Sequence, residues 1–150
     1  MTRRPLEGAV SLAFLQSFAS EIAAEASTQS DCSSEEIVRT WIIPRTAELA
    51  CRYADHPELM EEDELGHPTF YVSHMWSNSF FLLVDSISQH LSGADPKSTF
   101  LFIDIFSTNQ HPSADRANDI RVSNLNPNNI TREIICTQIM LVGHTNFSFL

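Results

Sequence analysis

Apolar residues recur at helical spacing from the start of the chain. Leu12, Leu15, Phe18 and Ile22 fall on one face of the segment 6–27, which predicts an amphipathic helix there. A polar loop, "STQSDCS", follows. Ser33-x-x-Glu36 then has the form of a capping box, in which a serine hydroxyl and a glutamate satisfy each other's backbone amides at a helix start. Ile37, Val38, Trp41 and Ile42 supply the apolar face of this second helix. Pro44 is predicted to break or kink it, because proline has no amide donor and its ring clashes with the preceding turn. "RTAELACRYA" predicts a further helix, and His56-Pro57 opens the acidic stretch "DHPELMEEDELGHP", which reads as a solvated loop with a short helix.

After Gly66-His67-Pro68 the period changes. "TFYVSHMW" is aromatic and β-branched, as strands are. In "SNSFFLLVDSISQHLSG", Phe80, Phe81, Val84, Ile87, Ser88 and Leu91 form a helical stripe, with Gly93 as its stop. "TFLFIDIFS" predicts a second strand. Its consecutive Phe100, Leu101, Phe102 and Ile103 imply burial on both faces. A long polar loop spans 108–129, "TREIICTQIMLVGH" predicts a helix ending near Gly143, and "TNFSFL" predicts a third strand.

Strands at 69–75, 100–106 and 145–150 separated by helices predict an α/β fold with a parallel sheet and crossover helices. Residues 1–66 would form a helical lead-in with its acidic loop, and residues 67–150 the α/β unit. In such sheets ligands bind beyond the C-terminal ends of the strands. Ser73, His74, Trp76, Asp104, Ser107, Asn109, Gln110 and His111 all fall there.

Composition narrows the function classes. A chain of 150 residues with 43% hydrophobic and 19% charged content can bury a core of its own. Its formal charge of −10 repels a phosphate backbone, and Arg3–Arg4 and Arg116–Arg121 are too sparse to make a basic patch, so no nucleic-acid partner is expected. No apolar run reaches the roughly 20 residues that a membrane-crossing helix needs. Glu7 and Glu21 interrupt the N-terminal apolar stretch, which therefore reads as a helix rather than a targeting peptide. Cys32, Cys51 and Cys136 are odd in number and widely spaced, which favours a reducing, cytoplasmic setting. His56, His67, His74, His90, His111 and His144 show no metal-ligand spacing, and no glycine-rich phosphate loop exists.

The individual candidates have plain readings beside the chemical ones. Ser73 and His74 are neighbours on a strand and point to opposite faces, so they make a poor nucleophile and base; Ser73 suits a cap or a loop contact. Trp76 could stack on an adenine or nicotinamide ring, or anchor the edge of the core. Asp104 at a strand end can accept backbone amides and shape the loop that follows.

Tyr71-Val72-Ser73-His74-Met75-Trp76, the run Ile103-Asp104-Ile105-Phe106-Ser107-Thr108-Asn109-Gln110-His111 and Val142-Gly143-His144-Thr145 occur in an order that resembles TIR domains and fungal heterokaryon-incompatibility (HET) domains. TIR second strands read much like "FID". HET domains carry a serine and tryptophan after the first strand and "D…NQ" after the second. The match is nearest to TIR/HET-like domains of uncharacterised algal and protist proteins, and it covers roughly residues 8–150. The resemblance implies a flavodoxin-like sheet that normally has five strands, so the chain is expected to be truncated after its third. It also implies a signalling or protein-interaction module, acting by self-association through the long loop and adjoining helices. Some TIR domains instead cleave NAD⁺ at the nicotinamide–ribose bond. On that alternative NAD⁺ is the substrate, no resident cofactor is needed, and Glu133 is the candidate catalytic residue, with Trp76 and the segment 109–111 near the nucleotide. Glu133 also suits a carboxylate complementing a helix dipole. The expected truncation counts against activity, and an inactive gene fragment is the third reading.

Overall fold

The computed structural model describes residues 8–26, 32–112 and 134–136. The chain opens on a short strand, β1 (Ala9–Ser11), that passes directly into helix α1 (Leu12–Ala26). The helix therefore starts at Leu12, six residues later than the predicted boundary at 6–27. Ser11 explains the change: its hydroxyl accepts the Phe14 amide at 3.0 Å, so it caps the helix rather than lying inside it. Leu12 and Ala13 donate their amides to the carbonyls of Thr99 and Pro96, both at 2.9 Å. The free N-terminal amides of α1 are thus held by the connection that enters a distant strand.

The capping box at Ser33 forms as the sequence predicts. Ser33 donates its amide to Glu36 Oε2 at 2.9 Å, and the Glu36 amide donates to the Ser33 hydroxyl at 3.2 Å. Helix α2 (Ser34–Ile37) does not break at Pro44. It widens into a π turn over Val38–Ile42 and resumes as α3 (Ile43–Thr46). The widened register lets the Ile43 amide reach the Val38 carbonyl, and one extra residue per turn relieves the clash that the proline ring would make. The helix predicted over "RTAELACRYA" ends early. Ala50 adopts φ of 46°, a left-handed conformation that stops a helix, and a 3₁₀ turn follows at Tyr53–Asp55. The acidic stretch yields a 3₁₀ turn at Glu62–Glu64 and then strand β2 (Leu65–Gly66).

Strand β3 (Phe70–Ser73), helix α4 (Phe80–His90) and strand β4 (Phe100–Ile103) form a β-α-β unit with parallel strands. The buried stripe of α4 is Phe80, Leu83, Val84 and Ile87. Phe81 is only partly buried, so Leu83 takes the place the periodicity gave to it. β4 stops at Ile103, and Asp104–Ser107 form a helical turn, α5. Asp104 is therefore the first residue of a turn, not a residue inside a strand.

A last strand, β5 (Ile134–Cys136), pairs parallel with β3 on the side away from β4. Residues 134–136 are therefore a strand within the segment "TREIICTQIMLVGH" that predicted a helix, and the rest of that segment lies outside the described residues. Adjacent β-branched isoleucines favour a strand, and β3 presents a row of backbone groups ready to bond one. The strand predicted at 145–150 lies outside the described residues.

The fold is mixed α/β. The sheet order is β2-β1-β4-β3-β5, with β1 antiparallel to both β2 and β4. The sheet is thus mixed rather than parallel throughout, because the N-terminal lead-in contributes two strands as well as helices. As the run of apolar residues implied, Leu101, Phe102 and Ile103 are all buried. Leu101 and Ile103 join the main core with Val10 and Val72, while Phe102 stacks with Tyr71 at a centroid distance of 5.8 Å. At the heart of the core the Phe106 ring meets Phe18, Phe14 and Tyr53 edge-on at 5.0, 5.4 and 5.6 Å. Among the described residues no helix is long and apolar enough to cross a membrane.

The left-handed Ala50 generates a test. Relieving its backbone strain gains about 1–2 kcal/mol, less the roughly 0.5–1 kcal/mol of extra chain entropy that glycine brings. Ala50→Gly is therefore expected to stabilise the protein by about 0.5–1 kcal/mol in denaturant unfolding; a loss of stability would contradict the assigned conformation.

Candidate functional site

Two polar clusters meet where β3 and β4 end. The first is centred on Asp104. Its Oδ1 accepts the Ile105 amide at 2.9 Å, which opens the α5 turn, and its Oδ2 accepts the indole N–H of Trp76 at 2.8 Å. The Asp104 carbonyl accepts the Thr108 amide at 3.0 Å, the Thr108 hydroxyl at 2.8 Å and the Gln110 side-chain amide at 2.8 Å. One residue thus turns the chain out of the sheet, draws the β3–α4 connection to it and folds the loop after α5 back on itself. Half-exposure of the carboxylate, at 43%, limits its desolvation cost.

His74 is the residue behind this cluster. Its side chain is 1% exposed, and Nδ1 lies 3.8 Å from Asp104 Oδ1, beyond hydrogen-bonding range. Among the described residues neither ring nitrogen has a hydrogen-bond partner. Burial favours the neutral ring and outweighs the attraction of Asp104, so the His74 pKa lies below its ordinary 6.5. Ser73, its neighbour, is exposed. Ser73 is the last residue of β3, so His74 lies just beyond the strand end.

The second cluster fastens the loop after α5 to the lead-in. Asn109 donates from Nδ2 to the carbonyl of the strained Ala50 at 2.8 Å, while its Oδ1 accepts the His111 amide at 3.0 Å. His111 Nε2 lies 2.9 Å from the Thr46 hydroxyl. That hydroxyl already donates to the Ile42 carbonyl at 2.8 Å, so His111 must be the donor and carry its proton on Nε2. Beneath both clusters Arg52, 4% exposed, pairs with Asp55 at 2.6 Å and donates to the Ser107 carbonyl at 3.2 Å, at the end of α5. Gly8 lies against the Arg52 guanidinium so closely that a Cβ there would overlap it.

Of the residues singled out in the sequence, His74, Trp76, Asp104 and Gln110 come together. Asn109 and His111 belong to the neighbouring clamp, and Ser73 is exposed at the end of β3. Glu133 lies outside the described residues. Thr46, Ala50, Arg52 and Thr108 were missed. Only Arg52 carried a signal: an arginine within "ACRYAD", three residues before an aspartate, suits a buried cation with its own counter-ion. Among the described residues no three of His, Cys, Asp and Glu converge on a metal-sized space.

No family model matches the chain, and no curated protein or solved structure shows significant similarity to it.

Two measurements probe the site. A hydrogen bond to a charged acceptor contributes roughly 1.5–3 kcal/mol. Trp76→Phe is expected to cost the lower end of that range, and a double-mutant cycle with Asp104→Asn should return a coupling of about 1 kcal/mol. Additive losses would mean that the indole and the carboxylate do not interact. His74 supplies a pH dependence. Because its folded pKa is depressed, the unfolded chain binds more protons, and its contribution to stability is complete above the ordinary 6.5 and lost as pH falls through that value toward the folded one. Unfolding curves of His74→Phe should lose that part of the acid slope, at most about 1.4 kcal/mol per pH unit.

Proposed function

We propose that the chain is a TIR/HET-like protein-interaction module that works by self-association. Three features support the reading. β4, β3 and β5 run parallel in the order second, first, third along the α/β segment, which is the order of a flavodoxin-like sheet. Of the residues behind the HET resemblance, Trp76 and Gln110 both bond to Asp104. Exposed apolar side chains flank the same corner: Met75 is 45% exposed and Leu82 is 52% exposed.

The observation that carries the choice of binding over catalysis is the engagement of Asp104. Both of its carboxylate oxygens accept donors from separate segments, so its role is to hold the loops in place. The polar groups organise a surface, and the apolar side chains beside them provide the area that association needs. The alternative, an NAD⁺ glycohydrolase, assigns the chemistry to Glu133.

Light scattering after size exclusion separates these readings. The apparent mass should rise above the 16.9 kDa of one chain as concentration increases. Met75→Asp combined with Leu82→Asp should hold it near one chain without loss of fold. Nicotinamide release from NAD⁺ should stay at background. A strict monomer at all concentrations would remove the self-association reading, and sustained release abolished by Glu133→Gln would establish the enzyme instead.

A further inference from the structure

Among the described residues neither ring nitrogen of His74 has a hydrogen-bond partner, and its side chain is 1% exposed. Trp76 and Gln110 both bond Asp104, yet the ring, 3.8 Å from the same carboxylate, does not. A buried polar group in that condition usually has a reason. We propose that His74 is a pH-operated switch: a proton taken from solvent converts it to an imidazolium that pairs with Asp104 and thereby loosens the indole of Trp76.

The geometry sets the sequence of events. The neutral ring carries one N–H and one free lone pair, and protonation leaves two donors and a charge with no acceptor within hydrogen-bonding range among the described residues. The nearest acceptor is Asp104 Oδ1 at 3.8 Å. A charge-assisted bond forms at about 2.8 Å, so the gap must close by roughly 1 Å. The carboxylate moves as a rigid plane. Drawing Oδ1 toward the ring displaces Oδ2, which holds the Trp76 indole, and strains the Ile105 amide bond that opens α5. Trp76 also accepts the Glu35 amide at its carbonyl at 3.0 Å, so its movement reaches the N-terminus of α2. Asp104 is the charged group that acts on the ring. Across β3, the ionisable residue of β5 is Cys136, opposite Ser73 in the register. The switch does not depend on the self-association reading, because it resides within one copy of the chain.

Proton NMR of the intact chain tests it, from about pH 8 to about pH 5, the range in which histidine changes charge. The chain has two indole N–H signals, and Trp41→Phe assigns them. Trp41 bonds Glu25 at 3.2 Å, so its signal reports a different contact. The Trp76 signal should shift with a single midpoint below 6.5, coincident with that of the His74 ring protons. In His74→Gln the shift should vanish. In Asp104→Asn the His74 midpoint should fall further, because the carboxylate that favours the charged ring is gone. A Trp76 signal that does not move, a shift that survives His74→Gln, or a His74 midpoint at or above 6.5 would each overturn the proposal. The His74 ring protons are read in the unaltered chain, so the test stands even where a variant fails to fold.

Discussion

Asp104 is the point on which the arrangement of the strand ends depends. Its side chain takes the amide of the residue after it and the indole from the neighbouring connection, and its carbonyl takes three donors from the loop beyond. An ionised acceptor forms stronger bonds than a neutral one, so a carboxylate is suited to gather donors from separate segments. An apolar residue at this position would leave the indole N–H, the Ile105 amide and the turn it opens to find other acceptors. The run "FLFIDIFS" is interrupted by an acid because the strand must stop there and the chain must change direction.

Beneath that corner the core is held together by aromatic rings from distant parts of the chain. Phe14 and Phe18 come from α1, Tyr53 from the 3₁₀ turn of the lead-in, Phe80 from α4 and Phe106 from α5. Edge-to-face packing of this kind adds to the area that the rings remove from water. Arg52 lies at the margin of the same region, its charge balanced by Asp55 and by the carbonyl end of α5. Such a pair is costly to break from one side, since it leaves a buried charge without a partner. The lead-in and the β-α-β unit therefore share both their apolar contacts and their polar ones.

Strong local signals were legible. The stripe of α1, the Ser33 capping box, the αβ alternation from Phe70 to Ile103 and the double-sided burial of β4 all follow from periodicity or from contacts a few residues apart. The readings that changed were those in which a local preference met a tertiary demand. Pro44 suggested a break or a kink, and the helix instead continues through a widened turn just before it. "TREIIC" has helical spacing, yet the open edge of β3 took Ile134–Cys136 as a strand. Ala9–Ser11 read as the start of a helix and became the strand that joins β2 to β4. Among the site residues, Trp76, Asp104 and Gln110 could be placed at one edge from the sequence, but not their bonds, because those span 28 and 6 positions.

The sequence by itself determined the class of fold and the edge at which the polar residues collect. Hydrophobic period and helix caps are properties of short windows, and parallel strands joined by helices place their C-terminal ends together. Only the tertiary structure decided that two N-terminal segments extend the sheet, that Ala50 takes a left-handed turn to present its carbonyl to Asn109, and that His74 is enclosed beside Asp104 without bonding it. Those outcomes depend on which surfaces remain uncovered once the main elements have packed. No window of the chain contains that information.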